Sequence, residues 1–265
     1  MTTVRERWRR ELEAVGFEAG PLRALLEKHS GLPGPRANLE LAAALGDLAA
    51  GADAAGRRLL LQWARLGPDE APHGTRAEYV PVAALCALGV LAVGPSERER
   101  YTEVLRAAAI DPRWRMREAA ALGLQRLGEL DTPGLCALLR PWLADASDLQ
   151  LRLVMVTVAH PPILDDAGVR AVGWDAAERA LERVRGHHTE DAETLRILVA
   201  ALSFTPSVYA AAEPREGFRR LARWAEAREV AVKKLVVANL RKARLAKRYP
   251  DECERVAETL AGGVD

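Results

Sequence analysis

The chain has 265 residues, a formal net charge of +1 and 49% apolar residues, so it can bury a continuous core but does not attract nucleic acid through its overall charge. Aromatic residues make up only 5%, and Ala and Leu dominate Val and Ile, which favours helices because Ala and Leu lose little side-chain entropy in them. No uncharged apolar run reaches the roughly 18 residues of a membrane span, and the Arg-rich opening lacks a signal-peptide core, so a cytoplasmic protein is expected.

The first 33 residues read as N-terminal helices. Ser30-Gly-Leu-Pro-Gly-Pro-Arg-Ala-Asn-Leu-Glu40 follows, with two glycines and two prolines that set a rigid turn before a helix. Arg36, Asn38 and Glu40 stand at that helix's start, where an anion or a partner's carboxylate is favoured. Equally, Asn38 and Glu40 serve only to tie the turn to the helix.

A phrase rich in small residues then recurs. It runs Leu41-Ala-Ala-Ala-Leu-Gly-Asp-Leu-Ala49, then Ala83-Ala-Leu-Cys-Ala-Leu-Gly-Val-Leu91, then Ala119-Ala-Ala-Leu-Gly-Leu-Gln-Arg-Leu127. Looser copies begin at Leu151, Leu195 and Leu235. The spacing is about 35 to 45 residues, and a second amphipathic helix follows most copies. Helix starts are expected at Pro35, at Asp111-Pro112 with Asp111 as cap, at Asp131-Thr-Pro133, at Ser147-Asp148 and at Pro250. Gly94-Pro95, Gly128 and Gly186 read as stops. Residues 67–77 and 204–214 read as irregular.

This pattern resembles the HEAT-repeat class. The resemblance implies an all-α, right-handed α-solenoid of roughly six antiparallel helix pairs in one domain, residues 1–265. Residues 1–33 would cap it, 35–248 would form the repeats, and 250–265 would be a C-terminal capping helix and tail. Each pair needs its neighbour to bury its apolar face.

Three places invite a binding role. Trp114 and Arg117 are three apart and share a helical face. The Trp either stacks on an unpaired base or fills a gap between repeats under an arginine. His187-His188 is expected to be a turn before a helix capped by Thr189 rather than a metal site. Residues 228–248, placed on one helix, gather Val232, Leu235, Val236, Asn239, Ala243 and Ala246 on one side. Lys233, Lys234, Arg241, Arg244 and Arg248 fall within about a 100° arc opposite. Four of the chain's five lysines lie in this segment and Glu229 is its only acid. It reads as a stripe that grips phosphates or as a solvated face. Asn239, on the apolar side, is expected to bond backbone in a neighbouring loop.

No GxGxxG, phosphate loop, HExxH or GxSxG is present. Cys86, Cys136 and Cys253 show neither CxxC nor metal spacing and read as reduced, packed thiols. No metal and no cofactor are expected. Trp114-Arg-Met-Arg117 with its Ala-rich helix, and Val232–Arg241 with Tyr249-Pro250, are also similar to the HEAT-like-repeat alkylpurine DNA glycosylases. That resemblance implies a basic, concave DNA-binding face using Trp114, Arg117, Lys234 and Arg241. Ala238 stands where some members carry a functional Trp, and more than one hundred residues separate the two stretches. The first expectation is therefore a non-enzymatic scaffold binding a macromolecule, either protein or duplex nucleic acid. A glycosylase relative and a protein-protein adaptor are the alternatives.

Overall fold

The structure is a computed structural model that describes residues 3–186, 189 and 191–262. Among the described residues every regular element is helical and there is no strand. The chain divides into two compact units, Met1–Gly134 and Leu135–Asp265.

The first unit holds α1 (Val4–Val15), α2 (Ala19–Lys28), α3 (Leu39–Ala49), α4 (Ala54–Trp63), α5 (Tyr79–Leu91), α6 (Arg98–Ala108) and α7 (Trp114–Leu130). Alternate helices pack in succession, α1 on α3, α3 on α5 and α5 on α7. Every residue of α5 is buried, because α2, α4 and α6 also lie against it. The recurring phrase explains the close stacking. Its Ala-Leu-Gly triplets at 44–46, 87–89 and 121–123 place Gly46, Gly89 and Gly123 on helices that touch. Such small residues let the helix backbones approach.

The second unit opens within α8 (Thr132–Trp142), which begins just before the unit and runs into it. It holds α9 (Asp148–Val158), α10 (Ala167–Gly186), α11 (Ala192–Leu202), α12 (Thr205–Ala212) and α13 (Pro214–Ala225), then α14 (Val230–Leu240), α15 (Ala243–Ala246) and α16 (Pro250–Gly262). Its core centres on Trp174, whose ring meets those of Tyr209 and Trp224 edge-on at 5.4 and 6.0 Å. The Tyr209 hydroxyl donates to the Met155 carbonyl at 2.6 Å.

Polar bonds between helices recur at a similar sequence separation in each unit. Arg5–Asp47 spans 42 residues, Arg57–Glu97 40, Arg170–Glu213 43, Arg220–Glu178 42 and Arg185–Glu229 44. Other polar bonds span 32 to 54 residues or more, as in Ser207–Asn239 at 32 and Tyr209–Met155 at 54.

Local chemistry sets the helix starts. Asn38, Asp53, Asp131 and Asp191 each accept an N–H from the first turn that follows, and Ser147 forms a capping box with Gln150. Five expectations are corrected. Pro35 does not open a helix; α3 starts at Leu39, capped by Asn38, because Asn38 Oδ1 can accept the first-turn N–H of Leu41. Residues 204–214 are not irregular. Pro206 sits in the first turn of α12 and Pro214 in that of α13, where a missing N–H costs nothing. Gly128 does not end α7, which runs on to Leu130. Asp191 rather than Thr189 caps α11. Asp111 does not cap α7, because its carboxylate is taken by the backbone N–H and guanidinium of Arg113. His187 and His188 lie outside the described residues.

The stretch Ala192–Ala212 has a mean hydropathy of 1.5 and the length of a membrane span, yet half of it is buried inside the structure. A turn at Ser203-Phe204 divides it into α11 and α12, which pack against α9, α10 and α13.

Candidate functional site

The basic segment is not one helix. α14 ends at Leu240, Lys242 takes an extended backbone (φ −66°, ψ 131°), and α15 restarts at Ala243. The reason is Leu245. On a continuous helix it would stand on the basic side; after the break it is fully buried, a gain of about 1.5–3 kcal/mol over exposure. The single arc of Lys233, Lys234, Arg241, Arg244 and Arg248 therefore does not form. Lys234, Arg241, Lys247 and Arg248 are exposed, while Lys233 and Lys242 are half-buried. Among the described residues, Lys234, Arg241, Lys242, Lys247 and Arg248 form no ion pair. Arg244 donates to Ser207 Oγ at 3.0 Å, and the Arg248 guanidinium lies 5.6 Å from the Tyr249 ring centroid.

Asn239 is fully buried in α14. Its Nδ2 donates to the carbonyls of Leu202 at 2.8 Å and Leu235 at 2.9 Å, and its Oδ1 accepts from Ser207 N at 2.8 Å. One amide thus serves backbone groups where α11 ends and α12 begins, sharing the Ser207 N–H with the Phe204 carbonyl at 3.2 Å. All three of its bonds go to backbone of its own unit.

A more concave site lies in the first unit. There the Ser30–Glu40 segment and the start of α7 come together around a groove of about 530 Å³. Leu39, Val82, Trp114, Ala119 and Leu122 make its apolar wall, and Arg36, Asn38, Glu40, Arg115 and Glu118 supply the polar groups. Trp114 is 43% exposed and Leu39 53%, so two large apolar side chains face solvent at one concavity. Size and lining match those of ligand pockets.

The turn before α3 is folded back on itself. Asn38 N donates to Ser30 O at 2.9 Å, and Asn38 Nδ2 donates to His29 O at 3.0 Å. Gly31 has φ +77°, and a Cβ there would lie 2.6 Å from Arg36 O, so only glycine closes this turn. Asn38 Oδ1 accepts from Leu41 N at 3.1 Å, and Asn38 O accepts from the Tyr79 hydroxyl at 2.5 Å. Burial holds that hydroxyl well above its usual pKa, so it remains a donor. These bonds fix the lip of the groove to the core helix α5.

Arg115 forms the floor. It is 8% exposed, and its guanidinium lies 4.4 Å from the Trp114 ring centroid. Nη1 donates to Glu78 Oε2 at 3.3 Å and Nη2 to Gly34 O at 3.2 Å. Glu78 is completely buried and also meets Gly74 N at 2.8 Å and His73 Nδ1 at 3.0 Å. A buried carboxylate is tolerable only with such partners. The loop that supplies Gly74 is anchored in turn by Arg113, which donates to Ala71 O and Leu66 O, both at 2.9 Å.

Arg117 does not join the groove wall. Its Nη1 donates to the carbonyls of Asp111 and Pro112 at 2.7 and 3.1 Å, and Arg115 takes the place over Trp114 that the spacing suggested for Arg117. Sequence reasoning missed Arg115, Glu118, Leu39 and Glu78. The i, i+4, i+8 series Trp114, Glu118, Leu122 was a legible signal for Glu118. Nothing local marks Glu78.

Burial pushes the Cys86 thiol up to about 12, so it is protonated and unreactive at neutral pH. Cys136 and Cys253 are half-buried thiols. Among the described residues no three His, Cys, Asp or Glu side chains are grouped to hold a metal ion.

No family model matches the chain, and no curated protein matches it. Among solved structures it is similar to a crystal structure of an engineered protein. The identity is 16%, over 96% of this chain and 98% of that one, with a TM-score of 0.34. That likeness is too loose to carry an argument. These comparisons identify neither a HEAT-like nor a glycosylase relative.

Proposed function

We propose that this protein is a non-enzymatic helical-repeat scaffold, built of HEAT-like helix pairs, that binds a segment of a partner protein in the Leu39–Trp114 groove. The observation that carries this reading is the groove itself: an exposed Trp and an exposed Leu share one concavity, on a floor held rigid by Arg115 and Glu78. Exposed aromatic anchors over a preformed pocket are the usual centre of a protein interface. The succession of α1 on α3, α3 on α5 and α5 on α7 supports the repeat architecture, since each of these modules then meets the next.

The test compares partners recovered by the wild-type chain with those recovered by Trp114→Ala and Leu39→Glu. Both positions are exposed, so the fold is expected to survive, which circular dichroism checks. A specific partner held by the wild type and released by both variants is the expected result. A partner held equally by all three chains overturns the reading.

A second reading is contact with duplex nucleic acid. It is favoured by the exposed cations of residues 234–248, which carry no ion pairs among the described residues and so retain their charge for phosphates.

A further inference from the structure

We infer that the segment bound in the groove carries a carboxylate beside its apolar anchor, received by Arg36, the first turn of α3 and Arg115. This rests on the groove being the binding site. The apolar wall of Leu39, Val82, Trp114 and Leu122 takes an aliphatic or aromatic side chain. Arg36 and Arg115 bring positive charge to the same lining, Glu40 and Glu118 negative charge, and Arg115 is paired with Glu78. Arg36 is exposed and, among the described residues, forms no ion pair. α3 is eleven residues long and begins at Leu39, so the partial positive charge of its first turn lies at this end.

Arg115 supplies the independent sign. It lines the groove and is more than nine-tenths buried, and its Nε–H has no hydrogen-bond partner. Its two other bonds, to Glu78 and Gly34, are long at 3.3 and 3.2 Å. A buried donor without an acceptor is desolvated for no return, and an arriving carboxylate relieves that. The Trp114 ring lies against the guanidinium, which is 4.4 Å from the ring centroid, so an apolar anchor and its carboxylate would be received side by side. Glu40 and Glu118 also line the groove. Glu40 stands in the first turn of α3, where it steadies the helix end. Glu118 already has a partner. Their charges select against a run of acids, which would meet like charge, and leave room for a single carboxylate.

Display of random dodecapeptides against the full chain tests this. The expected winners place one Asp or Glu within about three positions of a large apolar residue, a span a short groove can read. Converting that acid to its amide in the synthetic peptide should weaken binding about tenfold, the scale of one charge-assisted bond. Arg36→Glu should shift selection toward Lys and Arg. Trp114→Ala and Leu39→Glu should abolish it. Winners that need Trp114 but ignore the acid, with Arg36→Glu selecting the same peptides, overturn the carboxylate and leave the groove reading standing. Winners that bind Trp114→Ala and Leu39→Glu undiminished, or no enrichment at all, overturn both.

Discussion

Gly89 of α5 meets the backbone of Gly123 of α7 so closely that a Cβ on Gly89 would lie 1.8 Å from the Gly123 carbonyl oxygen. The obstacle is backbone, which cannot swing aside, so the two helices would have to separate. Gly89→Ala should cost about 3 kcal/mol, the upper end for overpacking, or prevent folding outright. Gly20→Ala, with nothing within 4 Å, should be neutral or gain up to about 1 kcal/mol from reduced unfolded-state entropy. Urea unfolding of the two variants measures the contrast. Equal stabilities would mean that the helices do not cross this tightly.

Asn239→Ala removes the one amide that serves Ser207 N, Leu202 O and Leu235 O. The Leu202 carbonyl would then be buried without its partner, and the Ser207 N–H would keep only its 3.2 Å bond to the Phe204 carbonyl. A loss of about 2–3 kcal/mol is expected, together with faster hydrogen exchange at the Ser207 amide. Protection unchanged at Ser207 would show that another group takes over the bond.

Asp47 joins α1 to α7, accepting from Arg5 at 2.7 Å and from Arg126 at 3.0 Å. Burial works to raise its pKa, but the bonds from Arg5 and Arg126 outweigh that and hold it below the ordinary value. A carboxyl lowered in the folded state binds fewer protons there. Its contribution is therefore full above the unfolded pKa and is lost as pH falls through the folded one. Asp47→Asn should lose about 1 kcal/mol at pH 7, the range of partly exposed pairs. The gap from wild type should close as pH falls below the ordinary aspartate range and Asp47 becomes protonated in the folded state. Urea midpoints across pH 2–7 read this directly, and a gap that does not change with pH contradicts the assignment.

Nucleic-acid contact makes a salt-dependent forecast. Replacing Lys234, Arg241, Lys247 and Arg248 with Ala removes exposed cations that form no ion pairs among the described residues. If each touches a phosphate, the slope of log affinity against log salt should fall by about 0.9 per contact. Anisotropy with a labelled duplex at several salt concentrations is the measurement. Identical affinity and slope in the quadruple variant would remove the second reading.

Much of the local architecture was readable beforehand. The Ala-Leu-Gly triplets mark where helices cross, and Asp131 and Ser147 mark where helices start, because both signals act over a few residues, whereas Pro35 was misread as the start that Asn38 sets. Leu245 was a readable warning against one long basic helix, since it falls on the wrong side of the arc. Pro206 and Pro214 were misread as loop residues, because proline suits a first turn as well as a turn between helices.

By itself the sequence determined the helical class and the spacing of the repeated phrase, and it singled out three segments of unusual chemistry, at Ser30–Glu40, Asp111–Ala121 and Arg228–Arg248. All of these follow from backbone preference and short-range periodicity. Only the tertiary structure decided that the first two of these segments share a groove, that Arg115 rather than Arg117 covers Trp114, and that Glu78 lies beneath. The Arg115–Gly34 bond spans 81 residues and Arg115–Glu78 spans 37. Such pairings depend on how helices stack and which charges burial forces together, and no local pattern in the chain encodes either.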